Sequence, residues 1–126
     1  MRALVLEKLK AQPHLADVPK PSPSAGELLL KVHCCGLCRT DLHIRDGELK
    51  PPKLPLILGH QIVGTVAAVG EGVDPALIGT RRGAAWLAKT CGTCPFCLSG
   101  RENLCDFPLF TGFSIDGGFA EFACAF

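Results

Sequence analysis

Apolar positions along the chain fall in short runs divided by turn residues, with one stretch that invites a helix. Residues 3–6 (Ala-Leu-Val-Leu) form an apolar run of strand length, and Pro13, Pro19, Pro21 and Pro23 then interrupt regular structure until Glu27. Residues 28–33 read as a second strand, and residues 41–45 as a short helix that Gly47, Pro51, Pro52 and Pro55 soon end. Residues 62–69 are rich in β-branched side chains but broken by Gly64, which predicts a bent or bulged strand. Gly70-Glu71-Gly72 reads as a turn, residues 83–87 as a further strand, and residues 118–125 as the last. With 14 glycines and 10 prolines, many short strands and frequent turns predict a mainly β fold: a small, partly open barrel with little helix. No internal repeat or low-complexity segment interrupts this pattern.

Composition narrows the function classes. The 126 residues suit one domain with a real core, and 13 basic against 12 acidic side chains leave a net charge of +1. Such balance leaves no electrostatic footprint for nucleic acid and no polybasic anchor for a membrane. No apolar run approaches the length of a membrane span. Glu7 and Lys8 fall where a signal peptide would continue its apolar stretch, so a cytoplasmic location is expected. Eight cysteines in a reducing compartment would stay as thiols and be free to hold a metal.

Four of those cysteines cluster. Cys91, Cys94, Cys97 and Cys105 have the spacing C-x2-C-x2-C-x7-C. Four thiolates close a tetrahedral shell around zinc, leaving no position for water, so such a site is structural. An iron–sulfur cluster is the rival reading, but its bacterial pattern places the fourth cysteine after three residues and a proline after that. Here seven residues intervene and Asp106 follows.

A second constellation lies upstream: Cys35-Gly-Leu-Cys38-Arg39-Thr40-Asp41-Leu-His43, and then Gly59-His60-Gln61. With the cysteine loop, the Val69-Gly-Glu-Gly-Val73 turn and Asp116-Gly-Gly-Phe-Ala-Glu-Phe122, this order resembles the N-terminal part of zinc-dependent alcohol dehydrogenases of the medium-chain dehydrogenase/reductase superfamily. The resemblance covers essentially the whole chain. It implies a catalytic, chaperonin-10-like (GroES-like) barrel over residues 1–126 with a structural-zinc lobe at about 88–110. The chain stops at Phe126 inside an expected strand, and no dinucleotide-binding βαβ unit is found, so a truncated domain, inactive alone, is expected.

The resemblance assigns roles residue by residue. It makes Cys38 and His60 two ligands of a catalytic zinc, and Asp41 the carboxylate that orients His60. It makes Thr40 the hydroxyl that takes the substrate's proton and His43 the outer end of the path to solvent. Arg39 would touch the cofactor pyrophosphate, and Leu49 and Trp86 would line the substrate pocket. Read without the family, Thr40 is a helix cap and the others are ordinary surface or core groups. The implied activity is reversible oxidation of a small alcohol to an aldehyde or ketone. It would use zinc and NAD or NADP, in a homodimer or homotetramer. Polyol or formaldehyde dehydrogenase, or a zinc-dependent binding module without catalysis, are the alternatives. Relatives mostly carry glutamate at the position of Gln61. The neutral amide removes a negative charge beside the ion, which is expected to leave the ion less shielded.

Overall fold

The computed structural model describes residues 1–126. Nine strands form three small open sheets rather than one closed barrel. The first sheet sets β1 (Arg2–Leu6) between β2 (His14–Asp17) and β4 (Leu56–Ile57), all antiparallel. The second has the order β6-β5-β3-β9, built from β3 (Leu28–Cys35), β5 (Ile62–Val69), β6 (Arg81–Ala84) and β9 (Phe122–Ala125). The third pairs β7 (Leu87–Lys89) with β8 (Leu109–Phe110). No helix is long and apolar enough to cross a membrane.

The strands differ from the sequence pattern in informative ways. The expected strand over 83–87 is two strands, because the chain leaves the second sheet after Ala84 and joins the third at Leu87, with Ala85 and Trp86 at the corner. The last strand is shorter than expected, since residues 117–119 pair as a loop with residues 57–59. β2 has a largely exposed His-Leu-Ala-Asp sequence without the alternation that marks a half-buried strand. The predicted irregularity in β5 is real. Register shifts fall between Leu29 and Leu30 and between Val32 and Cys34, and Gly64 sits opposite Val32 between them. A β-carbon at Gly64 would meet the Lys31 carbonyl oxygen at 2.5 Å.

Burial is distributed over small clusters. Leu30, Ile62, Val66, Ala123 and Ala125 fill the second sheet's inner face. Leu6, Leu56 and Leu58 receive Ile44 from the helix α1 (Arg39–Asp46). This contact fixes the inner side of α1, and with it the direction of every side chain on the helix.

A loop-on-loop contact completes the frame around Gly59. Gly117 donates to the Ile57 carbonyl at 2.7 Å, Gly118 to the Gly59 carbonyl at 2.8 Å and Phe119 to the Leu58 carbonyl at 3.0 Å. Asp116 Oδ1 accepts the Ile57 N–H at 3.1 Å. A β-carbon at Gly117 would lie 2.0 Å from the Gly59 carbonyl oxygen, a backbone atom with nowhere to go. Gly117→Ala is therefore expected to lower stability by about 2 kcal/mol or more, read as a fall in the urea midpoint. An unchanged midpoint would show that this contact does not hold the frame.

Candidate functional site

Helix α1 begins at Cys38, whose backbone is extended (φ −121°, ψ 159°). Cys38 itself, not Thr40, is therefore the N-cap residue, and Thr40 lies within the first turn. Asp41, 1% exposed, is the side chain that ties this helix start to the rest of the molecule. Its Oδ2 accepts the Cys38 N–H at 2.8 Å, an orphan donor of the helix end. Its Oδ1 accepts the Gly59 N–H at 3.0 Å and lies 3.4 Å from His60 Nδ1.

His60 is 4% exposed, and its Nδ1 lacks a well-aligned hydrogen bond. The nearest charged group is the Asp41 carboxylate, close enough for an ion pair but not aligned as a hydrogen bond. A buried imidazole with a carboxylate at Nδ1 has Nε2 left for another partner. That is the arrangement of a metal-binding histidine and its orienting group. Asp41 thus brings the Cys38 backbone and the His60 ring to the two sides of one carboxylate.

Beside them opens a cleft of about 810 Å³ whose lining includes Thr40, Leu49, His60, Gln61 and Trp86. Thr40 Oγ1 stands 3.8 Å from Cys38 Sγ. Trp86 meets the His60 ring edge-on at 4.9 Å and stacks on Phe110 at 4.8 Å. Thr111 holds the Trp86 corner in place, its N–H donating to the Trp86 carbonyl and its hydroxyl to the Ala85 carbonyl. Both residues expected to line a pocket, Leu49 and Trp86, reach this cleft. Gln61 lies at its exposed edge, with its side chain over Gly36.

The remaining upstream residues are placed less closely. His43 lies one turn after Thr40 on α1, half-exposed, with Nδ1 hydrogen-bonded to the Glu48 carboxylate. Arg39 is exposed in the first helical turn and makes no side-chain hydrogen bond. Cys124 lines a separate cavity of about 520 Å³ with Val5, Val18 and Phe122, away from His60. Sequence reasoning missed Glu48, Phe110 and Thr111. For Glu48 the signal was Gly47, a helix-ending glycine that turns the next residue back on the helix.

The four clustered cysteines converge. Their sulfur atoms all lie within 4.8 Å of one another, with Cys94 and Cys97 at 3.5 Å and Cys91 and Cys97 at 3.9 Å. A zinc tetrathiolate has sulfur–sulfur edges of about 3.8 Å, from its zinc–sulfur length of about 2.3 Å. Gly92 and Gly100 take left-handed backbone (φ 72° and 73°) at the loop's turns.

Backbone N–H groups point at the sulfurs: Cys94 N–H at Cys91, and the Cys91 and Phe107 N–H groups at Cys105, each at 3.3 Å. Hydrogen bonds from the Thr93 and Cys94 backbones bring the Cys91 thiol down to about 6. Burial pushes the Cys97 thiol up to about 12, helped by hydrogen bonding with neighbouring Cys94 and Cys105. Crowded thiolates resist ionising together, and a divalent cation removes that conflict. The donor set, its spacing and its N–H cradle fit zinc.

A family model described as the alcohol dehydrogenase GroES-like domain matches residues 24–125. The chain is 45% identical over 126 residues to an alcohol dehydrogenase of Geobacillus stearothermophilus, covering 99% of this chain and 37% of that protein. It is 49% identical over 110 residues to a probable alcohol dehydrogenase, AdhA, of Mycobacterium tuberculosis (strain CDC 1551 / Oshkosh), covering 83% and 31%. Among solved structures, a putative zinc-binding dehydrogenase from Sinorhizobium meliloti 1021 bound to NADP superposes with a TM-score of 0.88 at 38% identity. That match covers 98% of this chain and 35% of the other. A cobalt and zinc bound thermostable alcohol dehydrogenase from Pyrobaculum aerophilum gives a TM-score of 0.87 at 27% identity, covering 99% and 39%. The chain thus spans only a little over a third of the length of most of these relatives.

The cysteine geometry makes a direct prediction. Reduced protein is expected to carry one zinc that resists dialysis. Replacing Cys97 by alanine, or stripping with a strong chelator, should release it and lower the unfolding temperature by on the order of 10 °C. Metal analysis by mass spectrometry with a paired thermal melt checks both, and zinc-free protein with an unchanged melt would refute the assignment.

Proposed function

The chain belongs to the alcohol dehydrogenase GroES-like domain family, and from that premise we propose that it is the catalytic portion of a zinc-dependent, NAD(P)-linked alcohol dehydrogenase. The observation that carries this reading is Asp41, which joins the Cys38 backbone to the buried His60 ring, and His60 and Thr40 line one cleft. A zinc-binding interaction module needs the cysteine lobe but has no use for this second, separately buried arrangement.

In this reading Cys38 Sγ and His60 Nε2 hold the catalytic zinc, and Cys91, Cys94, Cys97 and Cys105 hold the structural one in the lobe at about 88–110. Zinc supplies Lewis acidity toward an alcohol oxygen, and NAD or NADP supplies the hydride acceptor. Every other task falls to this chain. Asp41 fixes the His60 ring and its tautomer. Thr40, on the cleft wall, takes the proton of the alcohol hydroxyl and passes its own toward His43, one helical turn away. His43, half-exposed, delivers the proton to water. Arg39 is assigned to the cofactor pyrophosphate on the family pattern, and its exposure at the helix start leaves it free to do so. The aromatic wall of Trp86 backed by Phe110, with Leu49, distant in sequence, on the same cleft, favours a small apolar alcohol or its aldehyde. Eight cysteines without a disulfide are best kept in the reducing cytoplasm, and the complete enzyme is read as a homodimer or homotetramer.

Three variants of the full-length, zinc-loaded protein test this reading. Alanine at His60 should lower kcat/KM for a small primary alcohol by about 10³-fold or more, and Asp41→Asn by about 10- to 100-fold. Metal analysis of the His60 variant should still find the lobe zinc. Steady-state kinetics with each variant decides the point, and a His60→Ala enzyme of near-native kcat/KM would end this assignment. Trp86→Ala should move the preferred alcohol toward longer or branched chains, seen as a reversal of kcat/KM order across a homologous alcohol series.

A further inference from the structure

We propose that Glu48 is a positioning residue for His43, holding its neutral ring as the Nδ1–H tautomer so that Nε2 is the nitrogen that accepts and releases a proton. The proposal rests on the reading of His43 as the outer end of the proton path.

The end of α1 is built to bring Glu48 back onto His43. Gly47 takes left-handed backbone (φ 79°, ψ 13°) as the C-cap and reverses the chain. The Glu48 and Leu49 N–H groups then both donate to the His43 carbonyl, at 2.9 and 3.2 Å. The Glu48 carboxylate closes the turn by hydrogen bonding His43 Nδ1. Residue 48 is thus tied to His43 through both its backbone and its side chain. An ordinary surface ion pair lacks the first of these ties.

The other histidines give the comparison. His14 meets Glu7 only at 3.9 Å, with both side chains more than half exposed. His33 pairs with the Thr65 hydroxyl rather than with a carboxylate. His43 and His60 each have a carboxylate close at Nδ1: Glu48 for the one, Asp41 for the other. The His60 pair is sealed from solvent, whereas the His43 side chain is 35% exposed and its Glu48 partner 63%. A buried pair suits a ring that must stay fixed. A pair at the surface suits a ring that must exchange protons with water.

The chemistry follows from imidazole itself. A neutral ring donates through one nitrogen and accepts through the other, and the hydrogen bond made at one decides the role of the other. A carboxylate only accepts, so it selects the Nδ1–H form and leaves the Nε2 lone pair for an incoming proton. Charges on the same helix are Arg39 four residues before His43, Asp41 two residues before it but turned inward onto the Cys38 and Gly59 amides and His60, and Arg45 and Asp46 just after it. Arg45 and Asp46 are joined at 2.7 Å, so they largely neutralise one another. Glu48 is the charged group in direct contact with the ring.

The test is spectroscopic first. In full chain labelled with ¹⁵N-histidine and loaded with zinc, at about pH 8.5 where an ordinary imidazole is neutral, nitrogen–proton correlation spectra report each tautomer. The His43 signals are identified by their loss in His43→Ala. The expected result is Nδ1–H at His43 in the native chain and in Glu48→Asp, and a majority of Nε2–H in Glu48→Ala. A native His43 in the Nε2–H form, or no change in Glu48→Ala, would overturn the proposal. Kinetics of the full-length holoenzyme then separate this proposal from the reading beneath it. Glu48→Ala should lower kcat about tenfold with little change in KM, and should have no further effect in a His43→Ala background. A loss that persists without His43 would show that Glu48 acts by another route, and the positioning role would fall. If His43→Ala leaves kcat intact while the tautomer result holds, the proton path is wrong and the Glu48 contact still holds the ring.

Discussion

The Asp41 carboxylate is a group that a protein interior accepts only with partners, since an unpaired buried charge is among the costliest things a fold can contain. At 1% exposure it has them: two backbone N–H groups and an imidazole edge. Those partners come from two segments, the start of α1 and the Gly59-His60 pair, which also meet through Ile44 on Leu56 and Leu58. The carboxylate adds to that apolar contact a polar tie that fixes where the helix start and the imidazole lie. The cleft, the Thr40 hydroxyl and the Trp86 wall then take their places around that junction.

Two arrangements of opposite design share the chain. The cysteine lobe draws all its ligands from a fifteen-residue loop, residues 91–105, and turns its own amides toward the sulfurs, so its geometry is local and closed. The second arrangement joins the Cys38 backbone at a helix start to the His60 ring of a loop through Asp41, with an open cleft beside His60. In zinc proteins closed shells hold structure and sites that meet a substrate keep a position open, and the proposed function reads the two arrangements in that way. The neutral Gln61 at the exposed edge of the cleft belongs to the second design.

Much of this was legible in the sequence, and what was not has physical causes. The cysteine lobe could be read because its spacing is nearly the geometry. The helix at residues 41–45 was found two residues short at its start, because the cap is a cysteine and the capping acceptor sits three residues inside as Asp41. The junction between residues 57–59 and 116–119 could not be read from local pattern at all. It consists mainly of backbone hydrogen bonds between distant loops, and its trace in the sequence is the need for bare glycine at positions such as Gly59 and Gly117. The turn at Trp86 was misread as strand because Ala-Ala-Trp-Leu is a sequence that either structure would accept. Its corner is set by Thr111, far along the chain.

The same junction has a consequence for the order in which the site assembles. The loop that frames the His60 segment comes from residues 116–119, nearly sixty positions downstream of His60. A ribosome must therefore deliver the chain through residue 119 before the frame around that imidazole is complete. The sulfur loop, by contrast, is complete once residue 105 has emerged. In a growing chain the thiolate pocket can therefore close around an ion before the frame of the imidazole is finished. That frame waits for residue 119, so a local loop precedes a long-range junction in the order of assembly.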